Sequence, residues 1–154
     1  MTTFSKRILV LSDSHGASLS SLLMRAESMG AFNAVIHLGD GFYDLDPYTA
    51  ELPIIYQVGG NCDFMRGEKE ILIPDFGPMI LATHGHCYAV KSGLSALEYH
   101  AREVGAKAAL FGHTHRPMQE DRGGLLLLNP GAAYDGHFAI LCIDSNNQMI
   151  AQMY

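Results

Sequence analysis

The sequence is poor in the features that mark secreted and membrane proteins. It contains no tryptophan and three cysteines, Cys62, Cys87 and Cys142, among 154 residues. Their number is odd and no two form a Cys-x-x-Cys pair, which fits a reducing compartment better than a disulfide framework. No apolar run approaches the length that crosses a membrane, and residues 1–6 are too short and polar for a signal peptide. We therefore expect a soluble, cytoplasmic protein with no membrane partner.

Positive charge is also scarce. Ten Lys and Arg residues stand against sixteen Asp and Glu residues, which gives a net charge of −6. The basic residues are scattered and form no stripe that could follow a phosphate backbone. Long nucleic acid is therefore not an expected partner, and nuclease activity is disfavoured for the same reason. The length and the 48% hydrophobic content predict a single domain over residues 1–154 with a substantial core.

The first forty residues carry the pattern of a βαβ unit. Residues 7–12 are a continuous apolar run, which is typical of a strand buried on both faces. Leucine and alanine then recur at helical spacing, and residues 34–38 form a second buried run. Parallel strands deliver their carboxyl ends to the same edge of a sheet, and ligands bind at that edge. Asp13, His15 and Asp40 should therefore converge there.

The rest of the chain is predicted to contain short strands separated by turns. Further strands are predicted over residues 54–58, 69–73, 79–83 and 107–111. A helix capped by Ser92 or Ser95 and closed by Gly105 should precede the last of these strands. The pairs 123–124 (Gly-Gly) and 146–147 (Asn-Asn) predict hairpin turns. We therefore expect the second half of the chain to be mainly antiparallel.

Five of the predicted strands end in residues that can bind a metal ion. These residues are Asp13 with His15, Asp40, Asn61, His84, and His113 with His115. Seven ligands exceed the need of one tetrahedral zinc ion and suit two metals that share a carboxylate. Oxygen and nitrogen donors without a thiolate favour Mn, Fe, Ni or Zn over copper(I). Each stretch taken alone also fits an ordinary turn, and His113 and His115 alone fit a turn with two exposed histidines.

The order of these stretches resembles that of a known family. The five stretches are Asp13-Ser14-His15, Gly39-Asp40, Gly60-Asn61, His84-Gly85-His86 and Gly112-His113-Thr114-His115. Together they resemble the motifs of the calcineurin-like metallophosphoesterases, most closely those of the small single-domain phosphodiesterase branch, over nearly the whole chain. The resemblance implies an α/β fold, namely a four-layer αββα sandwich of two mixed β-sheets flanked by helices.

The resemblance also implies a dinuclear metal site at the sheet edges. It assigns Asp13, His15 and His115 to one metal, Asn61, His84 and His113 to the other, and Asp40 to both as a bridge. We expect two divalent ions, manganese first, with iron, nickel, zinc or cobalt as alternatives. Gly60 and Gly112 are expected to let the backbone approach this site closely.

Charge arithmetic supports a phosphate substrate independently of the resemblance. Two divalent ions bring four positive charges, and Asp13 and Asp40 return two negative ones, so the centre would attract a phosphate anion. Two metals about 3.5–4 Å apart acidify a bridging water and hold the attacking and leaving oxygens. The leading hypothesis is a dinuclear-metal phosphodiesterase that hydrolyses a small phosphate ester by attack of a metal-bridging hydroxide. The alternative is a scaffold or protein-binding module that kept the fold without turnover; a homo-oligomer is compatible with either.

Several residues near the motifs have alternative assignments. Many members of the superfamily have a histidine directly after the Gly-Asn asparagine, where this chain has Cys62. Its neutral thiol would be a weaker stabiliser than imidazole, and the alternative is a small buried filler. The acidic residue usual after the bridging aspartate is at best Asp44, out of register, and receives no role. His86 is expected behind the metal ligands or against substrate, with a structural role as the alternative, and His37 is expected to be a core histidine.

The sequence-based prediction for catalysis therefore rests on a small set of residues. The candidate catalytic residues are Asp40, Asn61, His84, Cys62 and His86. The side chains of Phe64, Met65, Arg66 and Tyr88 are candidates for the walls of the pocket, although exposed loop residues of these types are common.

Overall fold

The structure is a computed structural model and describes residues 4–154. The strands are β1 (Phe4–Leu11), β2 (Ala34–His37), β3 (Ile54–Gln57), β4 (Glu70–Ile73), β5 (Ile80–Thr83), β6 (Ala108–Leu110), β7 (Met118–Arg122), β8 (Leu125–Asn129), β9 (Ala139–Asp144) and β10 (Met149–Met153). The helices are α1 (Ser20–Ser28) and α2 (Ser95–Glu103). Within the described part of the chain, neither helix is long and apolar enough to span a membrane. The expectation about residues 1–6 falls partly on residues 1–3, which lie outside the described residues.

The strands form two mixed five-stranded sheets, as the resemblance implied. The first sheet has the order β10-β9-β1-β2-β3, with β1, β2 and β3 parallel and β9 antiparallel to β1. The second has the order β4-β5-β6-β8-β7, with β5, β6 and β8 parallel and antiparallel strands at both edges. Each sheet therefore presents three parallel strand ends to one edge.

The prediction of a mainly antiparallel second half is wrong for the centre of the second sheet. Both predicted hairpins are present, since β7 pairs with β8 and β9 with β10 in antiparallel register. However, α2 carries the chain back across the sheet, so that β6 enters parallel to β5. The hairpin then places β8 parallel to β6 on its other side. A hairpin turn in the sequence identifies one of the two strands that pair with a given strand, but it does not identify the strand on the other side.

The side-chain alternation along the strands builds four layers. On β1, Ile8 and Val10 enter the apolar cluster between the two sheets, whereas Leu9 and Leu11 join the cluster beneath α1. On β6, Ala109 packs in the cluster that holds α2. Each sheet packs against the other sheet on one face and against a helix on its opposite face. The architecture is therefore the expected αββα sandwich.

Helix α2 begins without the predicted serine cap. Its first residue is Ser95, the residue before it is Leu94, and no side chain caps the helix. The fully buried side chains of Leu97 and Ala101 instead hold the helix against the second sheet. The cap prediction is therefore wrong, because tertiary packing replaces the contribution of a capping bond.

Lateral hydrogen bonds tie the loops that follow the parallel strands. The amide of Asp13 donates to Gly39 O at 2.9 Å, and the amide of His15 donates to Asp40 O at 2.9 Å. These bonds join the loop after β1 to the loop after β2. In the second sheet the loop after β6 is joined to the loop after β5 by a similar bond, from Gly112 N to His84 O at 3.0 Å.

A buried chain of hydrogen bonds holds the loop after β1 in place. His37 is fully buried, and its Nδ1 accepts from the amide of Gly39 at 3.1 Å, so the ring proton lies on Nε2. Nε2 therefore donates to Ser14 Oγ at 2.9 Å, and that hydroxyl donates to Asp44 Oδ2 at 2.5 Å. The same carboxylate oxygen accepts from Gly16 N at 2.8 Å. His37 is thus a hydrogen-bonded core residue, and Asp44, which received no role from the sequence, holds the loop in place.

Burial lowers the pKa of His37 from its ordinary value to about 4, although the nearby carboxylates of Asp44 and Asp63 oppose the shift. The folded protein therefore prefers neutral His37, while the unfolded chain binds a proton at an ordinary pKa near 6.5. This contribution to stability is complete above pH 6.5 and is lost as the pH falls from 6.5 towards 4.

We predict that His37→Gln, which cannot be protonated, removes this part of the pH dependence. Between pH 7 and pH 5 the free energy of unfolding of the unsubstituted protein should fall by about 2 kcal/mol more than that of the variant. Urea titrations of both metal-free proteins at the two pH values measure the difference. His137→Gln, which replaces a histidine elsewhere in the fold, is the control. Equal pH dependence in the unsubstituted protein and His37→Gln would contradict a neutral, buried His37.

Candidate metal centre

Five of the seven predicted ligands have a left-handed backbone. Their φ angles are 56° for Asp13, 47° for His15, 58° for Asp40, 70° for His113 and 63° for His115. This conformation costs a residue other than glycine about 1 kcal/mol or more, so the surrounding structure must hold it in place. Such strain is typical of functional sites, and here it falls on the residues whose side chains converge.

Asp13, His15 and His115 form one compact group of donors. His115 Nε2 lies 3.1 Å from Asp13 Oδ1 and 3.3 Å from His15 Nε2. His15 Nε2 is 3.6 Å from the same Asp13 oxygen. One carboxylate oxygen and two imidazole nitrogens therefore face a common point, as three ligands of one metal ion would.

Asp40, His84 and His113 form a second group, whose ligand atoms all lie within 4.8 Å of one another. Asp40 Oδ2 is 3.3 Å from His84 Nε2 in this group and 3.7 Å from His15 Nε2 in the first. The other oxygen, Oδ1, accepts from the amide of Cys62 at 2.8 Å. Asp40 thus turns one oxygen towards both groups, which is the position of a bridging ligand.

Two buried polar atoms in these groups have no hydrogen-bond partner among the described residues. They are Asp13 Oδ1 and His84 Nε2, 3.8 Å apart. The opposite nitrogen of His84, Nδ1, donates to Leu38 O at 2.7 Å, so Nε2 carries a lone pair. Asp13 Oδ2 is likewise occupied, accepting from Ser12 Oγ at 2.6 Å and from His113 N at 3.0 Å. Buried polar atoms normally have a hydrogen-bond partner. The lone pairs of these two unpartnered atoms could instead coordinate a bound cation.

The electrostatics of the groups also favour a cation. Burial opposes ionisation of Asp40, but His84 Nε2 at 3.3 Å and the hydrogen bond from the amide of Cys62 hold the pKa of Asp40 well below its ordinary value. Burial lowers the pKa of His84, yet the nearby carboxylates of Asp40 and Asp13 reverse this and raise the pKa overall. Two carboxylates in a buried site therefore attract positive charge, whether a proton or a metal ion.

The remaining predicted site residues lie around these groups. Asn61 is exposed, and its side-chain amide donates to Cys62 Sγ at 3.5 Å. Cys62 is also exposed, and its sulfur lies within 4.8 Å of ligand atoms of His15 and Asp40. The alternative that Cys62 is a small buried filler is therefore wrong, because the residue lines an open face of the centre.

His86 lies beside the second group of donors. Its ring centroid is 5.5 Å from that of His84 and 6.1 Å from that of His113. Its Nδ1 is buried and has no partner among residues 4–154. Burial, together with the neighbouring His84, lowers the pKa of His86, so the ring is neutral at physiological pH.

Two glycines let the backbone come close to the carboxylates. A Cβ on Gly60 would lie 2.1 Å from Asp40 Oδ1, and one on Gly112 would lie 2.6 Å from Asp13 Oδ2. Both distances are far below van der Waals contact, so neither position accepts a side chain without moving one of these carboxylates. The expectation that Gly60 and Gly112 permit a close backbone approach is confirmed.

Asp63 is a structural residue of the site that the sequence reasoning missed. Its Oδ2 accepts from the amides of Asp40 at 2.7 Å and Gly60 at 2.6 Å, and its Oδ1 accepts from Gly41 at 2.9 Å and Phe42 at 3.1 Å. This one carboxylate joins the loop after β2 to the loop after β3. All four amides precede Asp63 in the chain, so the usual sequence signal, an aspartate that bonds the backbone following it, gave no indication of this role.

Comparisons with known proteins agree with this architecture. The calcineurin-like phosphoesterase superfamily domain matches residues 7–146. A probable metallophosphoesterase of Bacillus subtilis (strain 168), YsnB, is 36% identical over 133 residues, which cover 81% of this chain and 73% of that protein.

Solved structures show the same fold at lower identity. Vacuolar protein sorting 29 (Vps29) from Cryptosporidium parvum superposes with a TM-score of 0.78 at 17% identity, covering 99% of this chain and 98% of that one. An archaeal protein described as a novel phosphodiesterase superposes with a TM-score of 0.73 at 20% identity, covering 96% and 99%. The domain match, the sequence relative and the αββα fold together lead to one conclusion: the chain belongs to the calcineurin-like phosphoesterase superfamily.

Proposed function

We propose that this protein is a metal-dependent phosphoesterase that hydrolyses a small phosphodiester at a two-metal centre. The observation that carries the proposal is the pair of donor groups that share Asp40, with two buried donor atoms left without a partner. The family to which the chain belongs supports phosphoester hydrolysis. The seven ligand positions are all of ligand type, which favours an enzyme over a module that has lost its metals.

In this proposal, Asp13, His15 and His115 hold one ion, and Asn61, His84 and His113 hold the other. Divalent ions in such a centre lower the pKa of water and neutralise charge that develops on the phosphoryl oxygens. Manganese is the proposed metal, since carboxylate, amide and imidazole donors without a thiolate suit ions of intermediate hardness.

The other residues of the chain orient these ligands. The bond from His84 Nδ1 to Leu38 O keeps the opposite nitrogen of the ring free for a cation. The amide of Cys62 turns Asp40 so that its second oxygen faces both donor groups. Asp63 holds the backbone that carries Asp40, and it does so without entering the donor groups.

A phosphodiester is the proposed substrate class. The support comes from the archaeal protein of the same fold that is described as a phosphodiesterase. The expected excess of positive charge at the centre attracts any phosphate anion, so the charge alone does not separate diesters from monoesters. The test is an assay of the manganese-loaded protein with nitrophenyl esters of both kinds. Hydrolysis of the monoester alone would contradict the diester proposal.

The second candidate function is a protein-binding scaffold, and it rests on the similarity to Vps29. That similarity shows the fold alone, at 17% identity. The convergence of six side chains on two points favours the enzyme, since a scaffold has no need of the strained backbone that brings them together.

We predict that each chain binds two divalent ions. Asp13 and Asp40 supply carboxylates to separate groups, and each group has two imidazoles beside it. Elemental analysis after loading with excess manganese and removal of free metal should give two ions per chain. Isothermal titration should show that binding is lost below neutral pH, because protons compete for the imidazoles. One ion or none per chain at saturation would contradict a dinuclear centre.

We predict that Asp40→Asn damages both metal binding and activity more than any other ligand substitution. The amide removes one of two negative charges, and Asn tolerates the left-handed backbone at this position. Loss of residues behind metal ligands typically costs 10–100-fold, so loss of a shared ligand should lower kcat/KM by at least about 100-fold. Asp46→Asn, the same exchange at an exposed site, is the matched control. Near-normal metal content and turnover in Asp40→Asn would refute the bridging assignment.

We predict that Cys62→His raises turnover of diesters with poor leaving groups, whereas Cys62→Ala changes it little. The exposed position beside His15 and Asp40 allows an imidazole to reach the substrate, and general acid catalysis contributes about 10²–10⁴-fold where the geometry allows. A thiol is only a weak donor, so its removal costs little. Kinetics with activated and unactivated diesters measure both effects, alongside metal content. Cys87→Ala and Cys87→His, at another exposed cysteine, are the controls. Loss of activity in Cys62→Ala with both metals bound would instead indicate a catalytic thiol.

A further inference from the structure

A cleft of about 340 Å³ opens directly beside the candidate metal centre. His15 and Asp40 form its inner wall, and Phe42, Tyr43, Phe64 and Arg66 form its outer part, which we call the aromatic cleft. The cleft therefore begins at two proposed metal ligands and ends at aromatic side chains. A phosphate held at the metals would carry its substituent into this space.

Apolar side chains at the mouth of the aromatic cleft are unusually exposed. Of the residues that line the cleft, Phe64 is 83% exposed and Tyr43 is 52% exposed, and Met65, which follows Phe64 in the chain, is 93% exposed. Clustered exposed apolar side chains commonly mark a binding site, because leaving them in water is unfavourable. Here the cluster adjoins the donor groups, which ties it to the same site.

A strained turn of the backbone holds these side chains in their exposed positions. Phe64 and Met65 both have a left-handed backbone, with φ angles of 51° and 65°. Bulky residues rarely adopt this conformation, so neighbouring bonds must hold it. The turn is closed by Arg66 N, which donates to Asp63 O at 3.0 Å, and Asp63 N donates to Gly60 O at 3.2 Å. Because the side chain of Asp63 also holds the backbone of Asp40, the turn and the metal ligand are positioned by one residue.

Arg66 contributes a guanidinium to the aromatic cleft, which the carboxylates of Asp40, Asp44 and Asp63 also line. Its guanidinium lies over the ring of Tyr43, 5.0 Å from the centroid, and Tyr43 meets Phe42 edge-on at 5.3 Å. Both oxygens of the adjacent carboxylate, Asp63, are occupied by backbone amides rather than by this cation. The cleft thus combines aromatic faces with a cation, in a protein whose net charge is −6.

We propose that the aromatic cleft binds a planar aromatic substituent, such as a nucleobase, on the retained side of the phosphodiester. Phe64 stacks on the aromatic ring of the substituent, beside the stacked pair of Tyr43 and Arg66. The proposal rests on the proposed function, which places the phosphate at the metals. An aromatic occupant fits better than an aliphatic one, since stacking uses the ring faces that line the cleft.

The test compares two diesters with the same p-nitrophenolate leaving group. One is methyl p-nitrophenyl phosphate, and the other is thymidine 5′-(p-nitrophenyl phosphate), which adds a nucleobase on the retained side. For the manganese-loaded full chain we expect kcat/KM to favour the thymidine ester by about tenfold, mainly through KM, as base stacking on an aromatic side chain supplies. The preference should disappear in Phe64→Gly and persist in Phe64→Trp.

The variants are chosen to separate recognition from folding. Glycine adopts the left-handed backbone of position 64 freely, so Phe64→Gly removes the ring without adding strain. Tyr99→Ala removes another exposed aromatic side chain, on α2, and should leave the preference unchanged.

The outcomes distinguish this proposal from the proposed function. Hydrolysis of both esters at equal kcat/KM, or a preference unaffected by Phe64→Gly, would overturn the cleft while leaving the phosphodiesterase intact. If neither ester is hydrolysed with both metals bound, the proposed function fails. In that case, calorimetric measurement of the binding of thymidine 5′-monophosphate and methyl phosphate tests whether the cleft binds a nucleobase, independently of hydrolysis. Tighter binding of the nucleotide that Phe64→Gly abolishes supports the cleft, and equal binding of the two phosphates refutes it.

Discussion

The carboxylate of Asp40 is the interaction on which the rest of the site depends. One of its oxygens accepts the amide of Cys62, and the other faces His84 and His15. This arrangement requires Gly60 to have no side chain, because a Cβ there would overlap the first oxygen. A single carboxylate thereby sets the separation of the two donor groups and the position of the loop that borders the cleft.

The strained loops that carry the proposed ligands are held by residues outside the two donor groups. Asp63 ties the loop after β2 to the loop after β3 through four amides, and Asp44 ties the loop after β1 through Ser14 and Gly16. Left-handed backbone persists only where the surroundings impose it. The geometry of the donors is therefore a property of this supporting set of carboxylates, which would make the site sensitive to substitutions away from the ligands.

The sequence predicted the parts of the structure that leave a local pattern. Apolar runs located the buried strands, and residues such as Asp13 and His84 stood out because each follows such a run. The supporting role of Asp63 could not be seen, since bonds from one carboxylate to backbone amides leave no pattern of residue types. Likewise, the parallel centre of the second sheet depends on how α2 returns the chain, and a hairpin signal carries no information about that. The exposure of Cys62 follows from the turn that contains it and not from its type.

Charge balance gives a reason for the donor groups to be occupied. Asp13 and Asp40 are both buried, and each has an oxygen within 3.8 Å of His84 Nε2. Without a cation, these carboxylates favour protonation of His84, which is the direction in which they move its pKa. Yet His84 has only one nitrogen free for that proton, and His113, in the same group, has a pKa lowered by burial and by His84. A proton therefore neutralises part of the charge at one ligand, whereas a divalent ion in each group compensates both carboxylates at once. The same fold used as a scaffold would have to tolerate that buried charge, so the presence of both carboxylates supports the proposed metal-dependent function.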